Sequence, residues 1–86
     1  MKKAPKTNLE KIAETTSQIK TAERLIAKSD FFNAIIKLDL ATNNILELLS
    51  VITDQILIVE LKELYNNARD LKRQAKLLKI EFGKEI

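Results

Sequence analysis

Residues 54–82 read DQILIVELKELYNNARDLKRQAKLLKIEF. Along this stretch Leu57, Leu61, Leu64, Ala68, Leu71, Ala75, Leu78 and Phe82 follow one another at intervals of 4, 3, 4, 3, 4, 3 and 4 residues. An α-helix turns once in about 3.6 residues, so this alternation keeps all eight side chains on one stripe for about eight turns. Such a stripe is the seam of a helix that packs lengthwise on other helices. Gln55 to Val59 is rich in β-branched residues and alone would suit a strand. Its phase runs without a slip into the rest of the seam, so it is read as the helix's first turns. Gly83 is the expected residue just past the helix end.

Upstream, residues 31–52 carry a second 4-3 repeat of Phe31, Ile35, Leu38, Thr42, Ile45, Leu49 and Ile52, widened by Ala34, Ala41 and Leu48. A further stripe, Phe32, Ile36 and Leu40, lies away from the first. A helix apolar on more than one side touches more than one neighbour. Helix 2 is therefore expected to lie between helices 1 and 3, or to face a partner with its second stripe. Thr7-Asn8-Leu9-Glu10 has the capping-box spacing and opens helix 1, which runs to about Lys28 through Leu9, Ile12, Ala13, Ile19, Ala22, Leu25 and Ile26. Thr15, Thr16 and Ser17 interrupt it with three weak helix formers. Ser29-Asp30 can cap the second helix, and the second break falls near Thr53-Asp54.

These readings predict an all-α protein, an antiparallel three-helix bundle running up-down-up with a long third helix. The domain is single, over residues 1–86: a disordered basic start at 1–6, then helices over about 7–28, 31–52 and 54–82. Counted at about 1.5 Å per residue, the third helix overhangs the other two by roughly two turns, and Leu77, Leu78, Ile80 and Phe82 fall on that overhang.

The chain has 86 residues, one Gly and one Pro, with 45% hydrophobic and 31% charged side chains, which are globular values. A domain of this size buries only about 60–65% of the surface its unfolded chain exposes, so its stability margin is thin. There is no cysteine and no histidine. That removes disulfides, thiolate nucleophiles, the usual zinc sites and the side chain best suited to proton transfer near neutral pH. The basic start lacks an apolar core of the secretory kind, and the longest charge-free runs are far shorter than the roughly 20 residues of a membrane span. The expectation is a soluble, cytoplasmic protein. Carboxylates such as Glu14, Glu23, Asp39, Glu47, Glu60 and Glu63 are scattered over the helices, with no pairing that acid-base catalysis or a calcium or magnesium site requires. No enzyme activity, cofactor or metal is expected.

Net charge is +3, with the basic residues concentrated at the two ends of the chain. On the third helix Arg69, Lys72, Arg73, Lys76 and Lys79 stand against Asp70 alone over residues 66–80. This face admits two readings: attraction of an anion such as nucleic acid or an acidic membrane, or compensation of the helix dipole and solvation of a leucine-rich surface. The pairs Asn43-Asn44 and Asn66-Asn67 are unusual inside helices and either set register, read a partner's backbone or face solvent.

Ala22-x3-Ile26-x3-Asp30, then Leu38, Ala41, Asn43, Ile45, Glu47, Leu48 and Leu64-Tyr65, resembles the central helices of flagellin-export chaperones of the FliS type. It covers about half of the chain, and that family's N-terminal Leu-Tyr segment and last helix have no counterpart here. Asp30-Phe31-Phe32-Asn33-Ala34-Ile35 is similar to the start of helix 2 in MIT domains, three-helix modules that bind short motifs of partner proteins, and Tyr65 to Lys79 to their basic third helix. The Met-Lys-Lys start and basic helical composition also resemble small bacteriocin-immunity proteins. The first two resemblances imply a binding module.

The resulting expectation is a non-enzymatic helical interaction module, adaptor- or chaperone-like. It would bind a partner helix or a second copy of itself, as a homodimer, along a coiled-coil-like surface of helix 3. The candidate partner-binding residues are Leu64, Ala68, Leu71, Ala75, Leu77, Leu78, Ile80 and Phe82; the candidate basic face is Arg69, Lys72, Arg73, Lys76 and Lys79. The alternative is a small basic accessory protein acting on nucleic acid or at a membrane surface, including an immunity-type protein. Partner and process are not legible in the sequence.

Overall fold

The structure, a computed structural model, describes residues 7–85, the side chains of residues 84 and 85 excepted. It consists of α1 (Asn8–Ala27), α2 (Phe31–Val51) and α3 (Gln55–Glu85), with no strand among the described residues. α1 packs on α2 and α2 on α3, while α1 and α3 approach each other only over a short stretch. The disordered start expected at residues 1–6 lies outside the described residues.

Each helix begins where a short oxygen-bearing side chain takes the amides that the first turn leaves without partners. Thr7 Oγ1 accepts from the Glu10 N–H at 3.2 Å. Asp30 accepts from the Asn33 N–H and, at 2.8 Å, from the Asn33 side-chain amide. Asp54 Oδ1 accepts from the N–H groups of Ile56 at 2.9 Å and Leu57 at 3.4 Å. This last cap starts a helix in the β-branched run from Gln55 to Val59, against its local preference.

α1 ends in a Schellman motif. The Ser29 N–H donates to the Ile26 carbonyl at 3.0 Å, and the Asp30 N–H donates to the Leu25 carbonyl at 2.8 Å. This closure requires a left-handed residue, and Ser29 supplies it with φ of 64°. Gly83, by contrast, does not end α3: it has no positive φ and lies inside a helix that continues to Glu85. Glycine permits a left-handed helix end but does not impose one. A Cβ built at Gly83 would meet nothing within 4 Å, so the helix passes through this position with room for any side chain.

The core follows from α2 having a neighbour on each side. Its buried positions are Phe31, Ala34, Leu38, Ala41, Ile45 and Leu48, continued by Ile52 just past its end, while Ile35, Thr42 and Leu49 are only half-buried. The alanines and Leu48, expected to widen the stripe, are its centre, because helices approach most closely over small side chains. On α1 the buried stripe is Thr15, Ile19 and Ala22, flanked by half-buried Ile12 and Ile26. Leu9 and Ala13, expected on that stripe, are exposed. Thr15 is fully buried, and its hydroxyl donates to the Lys11 carbonyl at 2.7 Å, so its methyl group packs without orphaning its oxygen. Asn44 bridges the two helices through its side-chain amide, which donates to Gln18 Oε1 at 3.2 Å. Asn44 is half-buried at that contact, whereas Asn43, Asn66 and Asn67 are exposed.

On α3 the seam divides into two columns, each repeating every seven residues. Leu61, Ala68 and Ala75 are fully buried; Leu57, Leu64, Leu71 and Leu78 are half-buried. α2 covers the first column. The second would be covered by α1, which meets α3 over too short a stretch to bury it.

Candidate functional site

Of the eight residues expected to receive a partner, Ala68 and Ala75 lie in the intramolecular core and are closed to any ligand. Leu64, Leu71 and Leu78 are half-buried, with Leu64 and Leu71 packed on that core. Leu77, Ile80 and Phe82 are exposed by 57%, 56% and 47%. They do not overhang the other helices. The Phe82 ring stacks at 5.3 Å, tilted 49°, on that of Phe31, the first residue of α2, so the end of α3 lies alongside that helix.

What the sequence did suggest, through the second stripe of α2, is the more open apolar surface. Phe32, Ile36 and Leu40 are exposed by 62%, 42% and 46%. Phe32, Ile35 and Ile36 from α2 meet Ile80 from α3 in an open groove of about 590 Å³, with Asp39, Lys76 and Lys79 at its edges. The i, i+4 spacing places Phe32 and Ile36 one turn apart on the outer side of α2. α3 supplies the opposite wall because its i, i+4 residues Lys76 and Ile80 share that side.

The basic residues are not one free face. Lys72 pairs with Asp39, and Lys79 Nζ sits 5.3 Å from the centroid of the Phe32 ring. Two of the five cations are thus turned toward α2. Arg69, Lys72, Arg73 and Lys76 also border a shallow groove of about 430 Å³ with Leu77.

At the other end of α3 two carboxylates, Glu60 and Glu63, border the open surfaces. Between α1 and α3 lies an open groove of about 440 Å³ formed by Ile12, Thr16, Glu60, Glu63, Leu64 and Asn67. On the outer side of α3, Ile56 and Val59, exposed by 72% and 55%, share a shallow hollow with Glu60 and Glu63. The carboxylates of both, Glu60 and Glu63, come from the start of α3.

Among the described residues no His, Cys, Asp and Glu side chains cluster in a group able to hold a metal ion, and no helix is long and apolar enough to cross a membrane. No protein-family model, no curated protein and no solved structure matches this chain.

Proposed function

We propose that the protein is a non-enzymatic helical interaction module whose docking surface is the groove between α2 and α3. The observation that carries this reading is an apolar floor, Phe32, Ile36 and Ile80, left open to solvent and edged by Lys76 and Lys79. An apolar stripe with a charged rim is the surface that receives an amphipathic helix, and soluble proteins seldom leave such a patch bare without a use for it. Lysines at the rim favour a helix with carboxylates beside its apolar face. The adaptor- or chaperone-like role and the cytoplasmic setting belong to this reading.

The reading takes the architecture as an up-down-up antiparallel bundle with a long third helix. Its support is the opposite order of the contacts between α2 and α3, Phe31 with Phe82 and then Asp39 with Lys72, and the short connections between the helices; Gln18 with Asn44 joins the middle of α1 to that of α2. The Phe31–Phe82 register, repeated every seven residues, sets Leu38 against Ala75 and Ile45 against Ala68. A large side chain then faces a small one at each level, the complementarity that lets two helices close together.

Titration of the full chain with an acidic amphipathic helical peptide, and with a single-stranded oligonucleotide, at low and high salt tests this function. The groove reading expects peptide binding that survives high salt and is lost in Phe32→Ser/Ile80→Ser. Oligonucleotide binding that weakens steeply with salt and is lost in Arg69→Glu/Arg73→Glu would establish the nucleic-acid reading instead, for which the groove beside Arg69 and Arg73 is the site.

A further inference from the structure

The antiparallel register has a geometric result at the opposite end of α3. If Phe31 lies level with Phe82 and Asp39 with Lys72, then Val51, the last residue of α2, lies level with about residue 60–62 of α3. At about 1.5 Å per residue, the first turns of α3 project about 8–10 Å beyond the end of α2. The connection fits that offset, because Ile52 is extended, with ψ of 133°. The projecting turns carry Ile56, Val59 and Glu60, and Glu63 follows just below them, level with the end of α2; the four sit together around one hollow. Spaced i, i+3, i+4 and i+7, they form one helical face with two aliphatic anchors and two carboxylates.

That face is the complement of the groove at the other end, which offers Phe32, Ile36 and Ile80 with Lys76 and Lys79. We propose that the occupant of the groove is a second copy of this chain, entering with the projecting first turns of its α3. Ile56 and Val59 of one copy fill the apolar floor of the next, and Glu60 and Glu63 meet the lysines at its rim. The contact is head-to-tail: it joins two different surfaces, so each added copy exposes a fresh groove and a fresh projection, and growth does not stop at two unless the rotation closes a ring. A two-fold pairing of grooves would instead bring Lys76 and Lys79 of both copies together, and the repulsion disfavours it. This inference rests on the groove reading above and names its ligand.

The test is sedimentation velocity on the full chain over a wide concentration range, with two variants at exposed positions, Ile56→Ser/Val59→Ser and Phe32→Ser/Ile80→Ser, each checked for an unchanged helical spectrum. The intact chain should show a sedimentation coefficient that rises with concentration and passes beyond that of a dimer. Each variant alone should remain monomeric. An equimolar mixture should form a one-to-one dimer and grow no further, because one variant retains a groove and the other a projection. Lys76→Glu/Lys79→Glu should weaken association at low salt by about tenfold or more. Self-association is overturned by an intact chain that stays monomeric at its highest concentration. It is equally overturned by a dimer that Ile56→Ser/Val59→Ser leaves intact, which marks a two-fold contact. In either case binding of the acidic helical peptide decides separately whether the groove reading survives.

Discussion

Replacing Ser29 with glycine should stabilise the protein. Ser29 closes α1 from the left-handed region, with φ of 64°, and it is the only described non-glycine residue with positive φ. An L-residue with a Cβ pays roughly 1–2 kcal/mol to sit there, because the Cβ crowds the following carbonyl. Glycine removes that cost but adds freedom to the unfolded chain, which returns about 0.4–1 kcal/mol of the gain. The net expectation is a stabilisation of about 0.5–1 kcal/mol. In a domain of this size that raises the melting temperature by about 2–8 °C. Both Schellman hydrogen bonds are backbone bonds and persist in the variant. Thermal and urea melts of Ser29→Gly, Ser29→Asn and Ser29→Ala measure the effect. Alanine keeps the Cβ and gains nothing, whereas asparagine, which tolerates the left-handed region, falls between. If glycine is no more stable than alanine, the helix does not end through a left-handed residue, and the account of this turn is wrong.

The two columns of α3 predict unequal costs: Leu61→Ala, at a fully buried site, should lose about 3–4 kcal/mol, and Leu64→Ala, half-buried, about 1–2 kcal/mol, measured by chemical denaturation. With a total stability of about 4–13 kcal/mol the first change can bring the chain near its unfolding threshold, and equal losses would refute the division of the seam. Thr15→Val should be neutral or stabilising by up to about 1 kcal/mol in the same assay. Its hydroxyl is satisfied only by the Lys11 carbonyl, which as a helix acceptor keeps the Thr15 backbone N–H when that hydroxyl is lost. A loss above about 0.5 kcal/mol would show that the hydroxyl has a role the geometry does not reveal. Lys72→Ala should cost at most about 1 kcal/mol, since its pair with Asp39 is partly exposed, with side chains 30% and 48% accessible.

Periodicity and caps were sufficient to place three helices. A 4-3 recurrence has one physical solution over eight turns, and Thr7, Asp30 and Asp54 mark their starts because few other side chains can accept a first-turn amide. The same reasoning favoured a helix at Gln55 to Val59 over a strand. It also exposed Phe32, Ile36 and Leu40 as a second stripe with no assigned neighbour. What a periodic stripe cannot say is how wide an arc its neighbours cover. α2 has two neighbours and α3 in effect one. Ala34, Ala41 and Leu48 are therefore a centre rather than an edge, and Leu64, Leu71 and Leu78 are left half in solvent. Thr15 was unreadable as a core residue because its packing depends on a hydroxyl turning back to its own helix. The end of α3 was misplaced for a related reason: helix length alone gives an overhang but not which end carries it. That is decided by register, set between side chains distant in sequence, Gln18 with Asn44 and Phe31 with Phe82. Tertiary structure alone brings Lys72 beside Asp39 and Lys79 over Phe32, since groups on separate helices become neighbours only after those helices have docked.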